Sequence, residues 1–341
     1  MRVDRRTFLL GTLATSLTAC SKTSGPLKKA AEYLWAQQAP DGGFHSSTYG
    51  LLRSGQSLTP FILRALLAVS DRSIADPGGA MDRAITFIKA NTTADGVLGM
   101  MDESAADYPN YATALAISAM VRARRTGYDR VIEPMLKHLR LQQFTEERGW
   151  KESDAPFGGW GMGGLLHQAP EAGHVDLSMT RHVLEAFSDA GVPSTDEVFK
   201  RALIFLNRSQ NPDGGFLFSP VSPELNKAGP SGSYGTATAD GVLALRAAGV
   251  AESDPRITKA IGWLRQHHVP DRAPGFEKPD SAGWADGLRF YYAHVLARVL
   301  PSLTINLPSQ ADDGSFRNPS NLVKEDDPLI ATALAVYVLA R

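Results

Sequence analysis

The stretch Gln210-Asn211-Pro212-Asp213-Gly214-Gly215-Phe216 closes a run that opens with Arg201-Ala202 and passes through Phe205-Leu206. Gln38-Ala39-Pro40-Asp41-Gly42-Gly43-Phe44 closes a near copy, opening with Lys29-Ala30 and passing through Tyr33-Leu34. Each reads as an amphipathic helix followed by a tight reversal: Asp-Gly makes the turn, glycine supplies positive φ, and the aromatic packs back on the helix before it. Weaker copies run from Arg83-Ala84 to Asp95-Gly96-Val97-Leu98, from Leu139 through Gln143 to Gly149-Trp150, and from Lys259-Ala260 through Trp263-Leu264 to Gly275-Phe276. Gln310-Ala311-Asp312-Asp313-Gly314-Ser315-Phe316 has the ending after a poor helix. The aromatic ends recur at intervals of roughly 40 to 65 residues, enough for two helices and their loops. Gln38, Phe44, Gln210 and Phe216 are therefore assigned a structural role in the repeat.

Between these units lie helical runs of another character, apolar on nearly every face, such as Tyr111-Ala112-Thr113-Ala114-Leu115-Ala116-Ile117 and Leu329-Ile330-Ala331-Thr332-Ala333-Leu334. A helix apolar all round must be enclosed by others. Half-buried helices alternating with fully buried ones, about six times, imply two concentric rings: an all-α, (α/α)6 toroid with inner runs near 59–69, 107–125, 175–190, 236–248, 286–300 and 328–340. No segment has the period-two alternation of a strand. Composition agrees, with 43% hydrophobic residues among 341, and 35 Lys plus Arg against 36 Asp plus Glu for a net charge of −1. Disorder and a fibrous protein are excluded, and nucleic acid is not expected as a partner.

With the repeats laid out, residues 26–341 resemble the α/α toroids of the terpenoid cyclase and protein prenyltransferase superfamily, above all the bacterial proteins with prenyltransferase or squalene oxidase repeats, and the turns resemble that family's QW motifs. The resemblance implies a central cavity that takes an apolar or isoprenoid-like ligand. It does not bring the family's chemistry with it. Squalene and hopene cyclases protonate an alkene with an aspartic acid in a DxDDTA sequence; here Glu325-Asp326-Asp327-Pro328-Leu329-Ile330-Ala331-Thr332-Ala333 matches poorly in either register. Glu325, Asp326 and Asp327 are weak candidates for an acid, against the plainer reading of an acidic first turn complementing a helix dipole. The prenyltransferase zinc needs Asp, Cys and His, and the one cysteine lies at position 20. No metal and no cofactor are expected.

Polar and aromatic residues near the starts of the inner runs are the candidates to line the cavity: His174 and Asp176, Tyr234 and Asp240, and Trp284, Asp286, Tyr291, Tyr292 and His294. Each has a bland alternative as a helix cap or a satisfied core group. Trp160 joins them from the glycine-rich loop 157–173, read as a possible cover for the cavity mouth. Three functions stay open: ligand binding without cyclisation, an active terpenoid cyclase-like enzyme, and an envelope scaffold that binds other proteins.

Residues 1–20 carry Arg5-Arg6-Thr7-Phe8-Leu9 and end in Leu17-Thr18-Ala19-Cys20. The pair resembles a twin-arginine export signal ending in a lipobox, which implies lipidation at Cys20, a linker at 21–25 and a toroid at 26–341. Its apolar stretch is short of the roughly 20 residues of a spanning helix. The expected location is the bacterial cell envelope, with the membrane met only through the lipid. Ligand identity and oligomeric state are left open.

Overall fold

The computed structural model describes residues 25–102, 105–124, 127–276 and 280–341; the export segment and Cys20 lie outside the described residues. Eleven long helices are present: α1 (Gly25–Ala36), α2 (Leu58–Leu66), α3 (Ala80–Asn91), α4 (Pro109–Arg122), α5 (Asp129–Gln142), α6 (Leu177–Asp189), α7 (Glu197–Ser209), α8 (Gly235–Ala247), α9 (Pro255–His267), α10 (Arg289–Val299) and α11 (Pro328–Leu339). Two short antiparallel pairs, Met100–Asp102 with Ala105–Ala106 and Trp160–Gly161 with Val175–Asp176, are the extended structure among the described residues.

Helices α2, α4, α6, α8, α10 and α11 pack each on the next, and α11 returns to α2. This is a closed inner ring. The side chains explain it: from Gly235 to Leu245 every residue of α8 is buried, as are eleven residues of α4. The outer helices bury one stripe only; α7 hides Val198, Phe199, Ala202, Phe205, Leu206 and Ser209, and Lys200 lies on its exposed side. Starts are fixed by caps, with Asp176, Asp196, Asp254 and Asp327 each accepting a bond from an amide in the first turn of α6, α7, α9 and α11.

The repeat turns staple one unit to the next. Gln210 Nε2 donates to Gly214 O in its own turn at 3.0 Å and to Arg256 O at 2.8 Å, at the start of the next outer helix. Gln38 does the same with Gly42 and Ala80, Gln143 with Gly158 and Val198, and Gln310 with Gly314 and Pro26. The last of these closes the ring on α1. Inward, in five of the six turns the amide of the final residue donates to a threonine hydroxyl on an inner helix: Phe44 to Thr59, Leu98 to Thr113, Trp160 to Thr180, Phe216 to Thr238 and Phe316 to Thr332, the Gln143 turn thus ending at Trp160 and not at Trp150 as its sequence suggested. The glycine of the turn is forced by the next outer helix. A Cβ at Gly158 (φ +84°) would stand 1.9 Å from Arg201 O, and the turn glycines Gly42, Gly214 and Gly314 meet Arg83, Lys259 and Lys29 in the same way, so in four repeats the basic opening residue marks where the preceding turn lands.

About six helix pairs were expected, the sixth with a poor outer helix, and the described residues hold six inner and five outer helices. Leu300 to Asp327 holds no helix, because Pro301, Pro308 and Pro319 remove backbone donors and bias their predecessors toward extended backbone. The segment still carries the sixth turn, so the ring closes without a sixth outer helix. Among the described residues no helix is long and apolar enough to cross a membrane.

Candidate functional site

All six inner helices run the same way, and their first turns surround a cavity of about 290 Å³. Its walls are apolar and aromatic: Leu58 and Phe61 from α2, Tyr111 from α4, Met179 from α6, Ala237 from α8, Leu288 and Tyr291 at the start of α10, and Ile330 and Leu334 from α11, with Phe218 and Tyr234 from the turn before α8. Polar groups are few and placed at two levels. Asp240 and Ser178 sit with the Tyr291 hydroxyl, while Lys227, Lys324 and Glu325 come from the segments leading into the helices.

The depth of the cavity is a hydrogen-bonded cluster. Tyr291 Oη donates to Asp240 Oδ2 at 2.9 Å, receives Arg181 Nη2 at 2.9 Å and pairs with Ser178 Oγ at 2.6 Å. Arg181 Nε reaches Asp240 Oδ1 at 3.0 Å, and its Nη1 reaches Glu185 Oε2 at 3.1 Å. Glu185 is bound as well by Arg64, and by Arg298 Nη2 at 2.6 Å. Three guanidiniums thus face two carboxylates in the middle of the ring. Burial would raise Glu185, but Arg298, Arg64 and Arg181 hold it well below the usual carboxylate range. Asp240 has one guanidinium, Arg181, and the Tyr291 and Ser178 hydroxyls to oppose its burial, and ends raised. His182 and His294 are kept neutral, first by burial and then by the neighbouring arginines.

The carboxylates of Glu325-Asp326-Asp327 have separate employments. Asp327 caps α11 through Leu329 N and accepts the Ser46 hydroxyl. Asp326 accepts the Tyr49 hydroxyl. Neither lines the cavity. Glu325 does line it, accepting Tyr291 N at 2.8 Å, Phe290 N at 3.0 Å and Asn318 Nδ2 at 2.7 Å. It therefore caps α10 rather than its own helix. Burial pushes it up to about 7 in spite of these donors.

Of the residues expected to line the cavity, Tyr234, Asp240 and Tyr291 are brought together there. The others are placed elsewhere. Trp160 is fully buried behind α6, its indole donating to Leu139 O. Asp176 caps α6 and holds His174 Nε2 at 2.7 Å. Trp284 packs beneath Lys227 at the rim, and Asp286 is exposed, 3.9 Å from Arg272. Tyr292 faces outward, its hydroxyl 3.1 Å from His268 Nδ1. His294 lies further along α10 against the Tyr337 ring. On α10, Tyr292 is rotated about 100° from Tyr291 and so looks away from the ring axis, whereas His294, three residues on and on the same face as Tyr291, lies deeper along the helix. The loop 157–173 packs instead against α4 and α5, with Gly163 against Asn110 and the Gly164 carbonyl bonded by Gln142.

Sequence reading passed over Arg64, Arg181, Glu185 and Arg298, as well as Lys227 and Lys324. A signal for the first group was present. Arg181 and Glu185 stand four apart in a run otherwise fit for burial, and a charge there must find a partner.

Residues 170–282 match the family model of the squalene-hopene cyclase C-terminal domain. No curated protein matches the chain in sequence. In three dimensions 92% of the chain matches the type II terpene cyclase MstE from Scytonema, over 96% of that chain, with 13% identity and a TM-score of 0.58. A variant of the same enzyme with its substrate geranylgeranyl dihydroxybenzoate matches with a TM-score of 0.56, at 13% identity over 92% of this chain and 95% of that one. A D-mannose isomerase matches equally well, with a TM-score of 0.56 at 12% identity, covering 92% and 95%. The ring is therefore shared by enzymes of unlike substrates, and the choice among them falls to the cavity lining.

Proposed function

From a chain that carries the α/α-toroid fold of the type II terpene cyclases, we propose a protein that binds an apolar, isoprenoid-like small molecule in its central cavity, without the cyclase DxDD acid or the prenyltransferase zinc site. The observation that carries this reading is the lining: a cavity of about 290 Å³ walled by Leu58, Phe61, Met179, Leu288, Ile330 and Leu334 with tyrosine and phenylalanine rings. That volume is near the lower end of the roughly 300–1,000 Å³ of small-molecule sites. A sugar would leave most of its hydroxyls facing hydrocarbon, at a cost of a few kcal/mol for each lost hydrogen bond. An isoprenoid chain loses nothing there.

The test is native mass spectrometry and solvent extraction of the purified protein, followed by titration with farnesol. Binding is expected in the wild type and is expected to be lost in Ala237→Trp, which fills the cavity from α8, provided circular dichroism and the melting temperature show the variant folded. Wild-type protein that neither retains an apolar molecule nor takes up farnesol would overturn the reading.

A catalytic reading has one specific observation in its favour: two carboxylic acids at the cavity, Asp240 and Glu325, are both raised by burial. Alkene protonation requires an acid in a dry cavity, and Glu325, pushed up to about 7, comes nearer to that than Asp240, whose two oxygens accept the Arg181 guanidinium and the Tyr291 hydroxyl. On that reading Glu325→Gln abolishes turnover of a polyene and keeps its binding, whereas Asp326→Asn changes neither. We further propose delivery to the cell envelope through residues 1–20 and lipidation at Cys20. Cys20→Ser should then release the protein from the membrane fraction, and its retention there would refute the anchor.

A further inference from the structure

The cavity mouth holds two ammonium groups without an ion-pair partner at contact distance, and the carboxylates around it accept other donors. Lys227 is half-buried, with Nζ 3.9 Å from the centre of the Phe218 ring and 5.7 Å from that of Trp284, donating to Leu225 O at 2.6 Å. Lys324 lies across from it in sequence and wall, with Nζ 5.7 Å from the rings of Tyr49 and Tyr108 and 3.3 Å from the Tyr108 hydroxyl. Among the described residues neither lysine has a carboxylate within 4 Å. The acids at this end serve other donors: Asp107 takes Ser54, Ser57 and the Ser57 amide, Asp326 takes Tyr49, Asp327 takes Ser46 and α11, and Glu325 takes α10 and Asn318. Asp176, whose charge acts on Lys227 from beyond ion-pair distance, takes His174 and the amide of Met179.

The backbone at this rim is also unusual. Tyr108 at φ 46° and Lys324 at φ 64° are two of the three non-glycine residues with positive φ among those described, and they touch each other. Side chains rarely accept that conformation without the surroundings imposing it. It turns Lys324 over the opening, where both lysines line the same cavity as the apolar walls. The positive ends of six parallel inner helices point to the same place, which lowers the cost of holding an anion there.

We propose that the ligand is an anionic amphiphile, with its apolar chain in the cavity and a carboxylate or phosphate head held at the mouth by Lys227 and Lys324, the aromatic rings of Phe218, Trp284, Tyr49 and Tyr108 excluding water around the pair. This rests on the apolar-cavity reading and goes beyond it by naming the head group. An ammonium over aromatic faces keeps part of its solvation through the ring quadrupole, and gains more from an anion than it would in open water.

Three probes with one tail separate the possibilities: farnesol, farnesoic acid and farnesyl monophosphate, titrated against the full-length protein by calorimetry at low and at 0.5 M salt. The acid or the phosphate is expected to bind at least about tenfold tighter than the alcohol, with that margin shrinking at high salt; whichever anion is tighter identifies the head. Lys227→Gln and Lys324→Gln should each remove about tenfold of anion affinity while farnesol binds as before, and Lys324→Arg should restore most of it. Equal binding of all three probes to the wild type, or an anion margin that survives the double glutamine variant, overturns the head-group inference and leaves the apolar cavity standing. Failure of all three to bind overturns the cavity reading and the inference together.

Discussion

Replacing Glu185 by glutamine tests how the ring is held at its centre. Glu185 Oε2 accepts from Arg64 and, at 3.1 Å, from Arg181, and Oε1 accepts Arg298 at 2.6 Å. The amide keeps the shape of the side chain, removes the charge and turns a donor toward one of the guanidiniums. Three buried cations would then face Asp240 alone, itself raised by burial. Breaking a buried pair by removing one partner costs about 3–5 kcal/mol. With an unfolding entropy of about 2.1 cal/mol/K per residue over a domain of this size, each kcal/mol moves Tm by about 1.5 °C, so the expected drop is about 5–8 °C. Urea unfolding of wild type and Glu185→Gln gives the free energy directly. Adding Arg64→Met should recover part of the loss, with a coupling above about 1 kcal/mol in the double-mutant cycle. A loss below about 1 kcal/mol for Glu185→Gln would mean that water or a rearranged Asp240 neutralises the arginines, and the dry cluster described above would be wrong.

Truncating a staple, Gln210→Ala, should cost about 1–2 kcal/mol, two neutral hydrogen bonds, and the same change at Gln38 a similar amount; urea midpoints indistinguishable from wild type would deny the staples their role. Gly158→Ala should cost more than about 3 kcal/mol because its Cβ would strike Arg201 O at 1.9 Å, whereas Gly191→Ala, also at positive φ but with nothing within 4 Å, should cost about 1 kcal/mol; thermal melts that rank the two alike would refute the packing account. Stability should fall as pH drops from 6.5 toward 4, because burial lowers His138 to about 4 and holds His182 and His294 well below the usual histidine range. The unfolded chain then takes up the protons first, at about 1.4 kcal/mol per pH unit for each histidine. Glu325, raised to about 7, opposes them with one increment of the other sign that is lost as pH rises through 7. His138→Gln should reduce the slope between pH 6.5 and 4 by up to one such increment, and an unchanged slope would exclude His138 as a contributor.

The repeat was legible because its chemistry is local. Asp-Gly-Gly-Phe fixes a turn whatever surrounds it, and the apolar runs at 109–122 and 328–339 leave a helix no exposed face. The missing sixth outer helix was legible too, in the prolines of 301–319, although the six turns invited the count of six pairs. The threonines that receive the turn amides were visible as residues and not as a pattern, since Thr59, Thr113, Thr180, Thr238 and Thr332 acquire their common role only when ring and turn are side by side. The site was hardest. Tyr234, Asp240 and Tyr291 reach the cavity while Tyr292 and His294 do not: Tyr292 is rotated away from the axis and His294 lies a turn deeper on the same face, differences of rotation and depth that no single strand of sequence reports. Lys227 and Lys324 sit in irregular loops, where no periodicity exists to say which way a side chain points.

The placement of charge along the inner helices gives the two ends of the ring opposite characters. Carboxylates meet the helix starts: Asp107 at α2, Asp176 at α6, Glu325 at α10 and Asp327 at α11. Arginines occupy the last turns: Arg64 in α2, Arg122 in α4, Arg246 in α8 and Arg298 in α10. Both follow from the macrodipole, each favourable pairing being worth about 0.3–1 kcal/mol at the surface and more where buried. In a parallel ring these small preferences add at the axis. The acids at the starts are consumed as caps, so the open end keeps apolar walls with the two lysine ammonium groups. The arginines at the far end line a second cavity of about 290 Å³, in which Arg122 is paired with Asp189, Arg246 with Glu252 and Arg298 with Glu185. Arg181 and Glu185 lie between the two cavities and close one from the other. On the proposed apolar-ligand reading, entry by the lysine-bearing mouth predicts that substitutions neutralising Arg122 or Arg246 leave farnesol uptake and release rates unchanged. A rate that rises in Arg246→Ala would show that the far end is a second door.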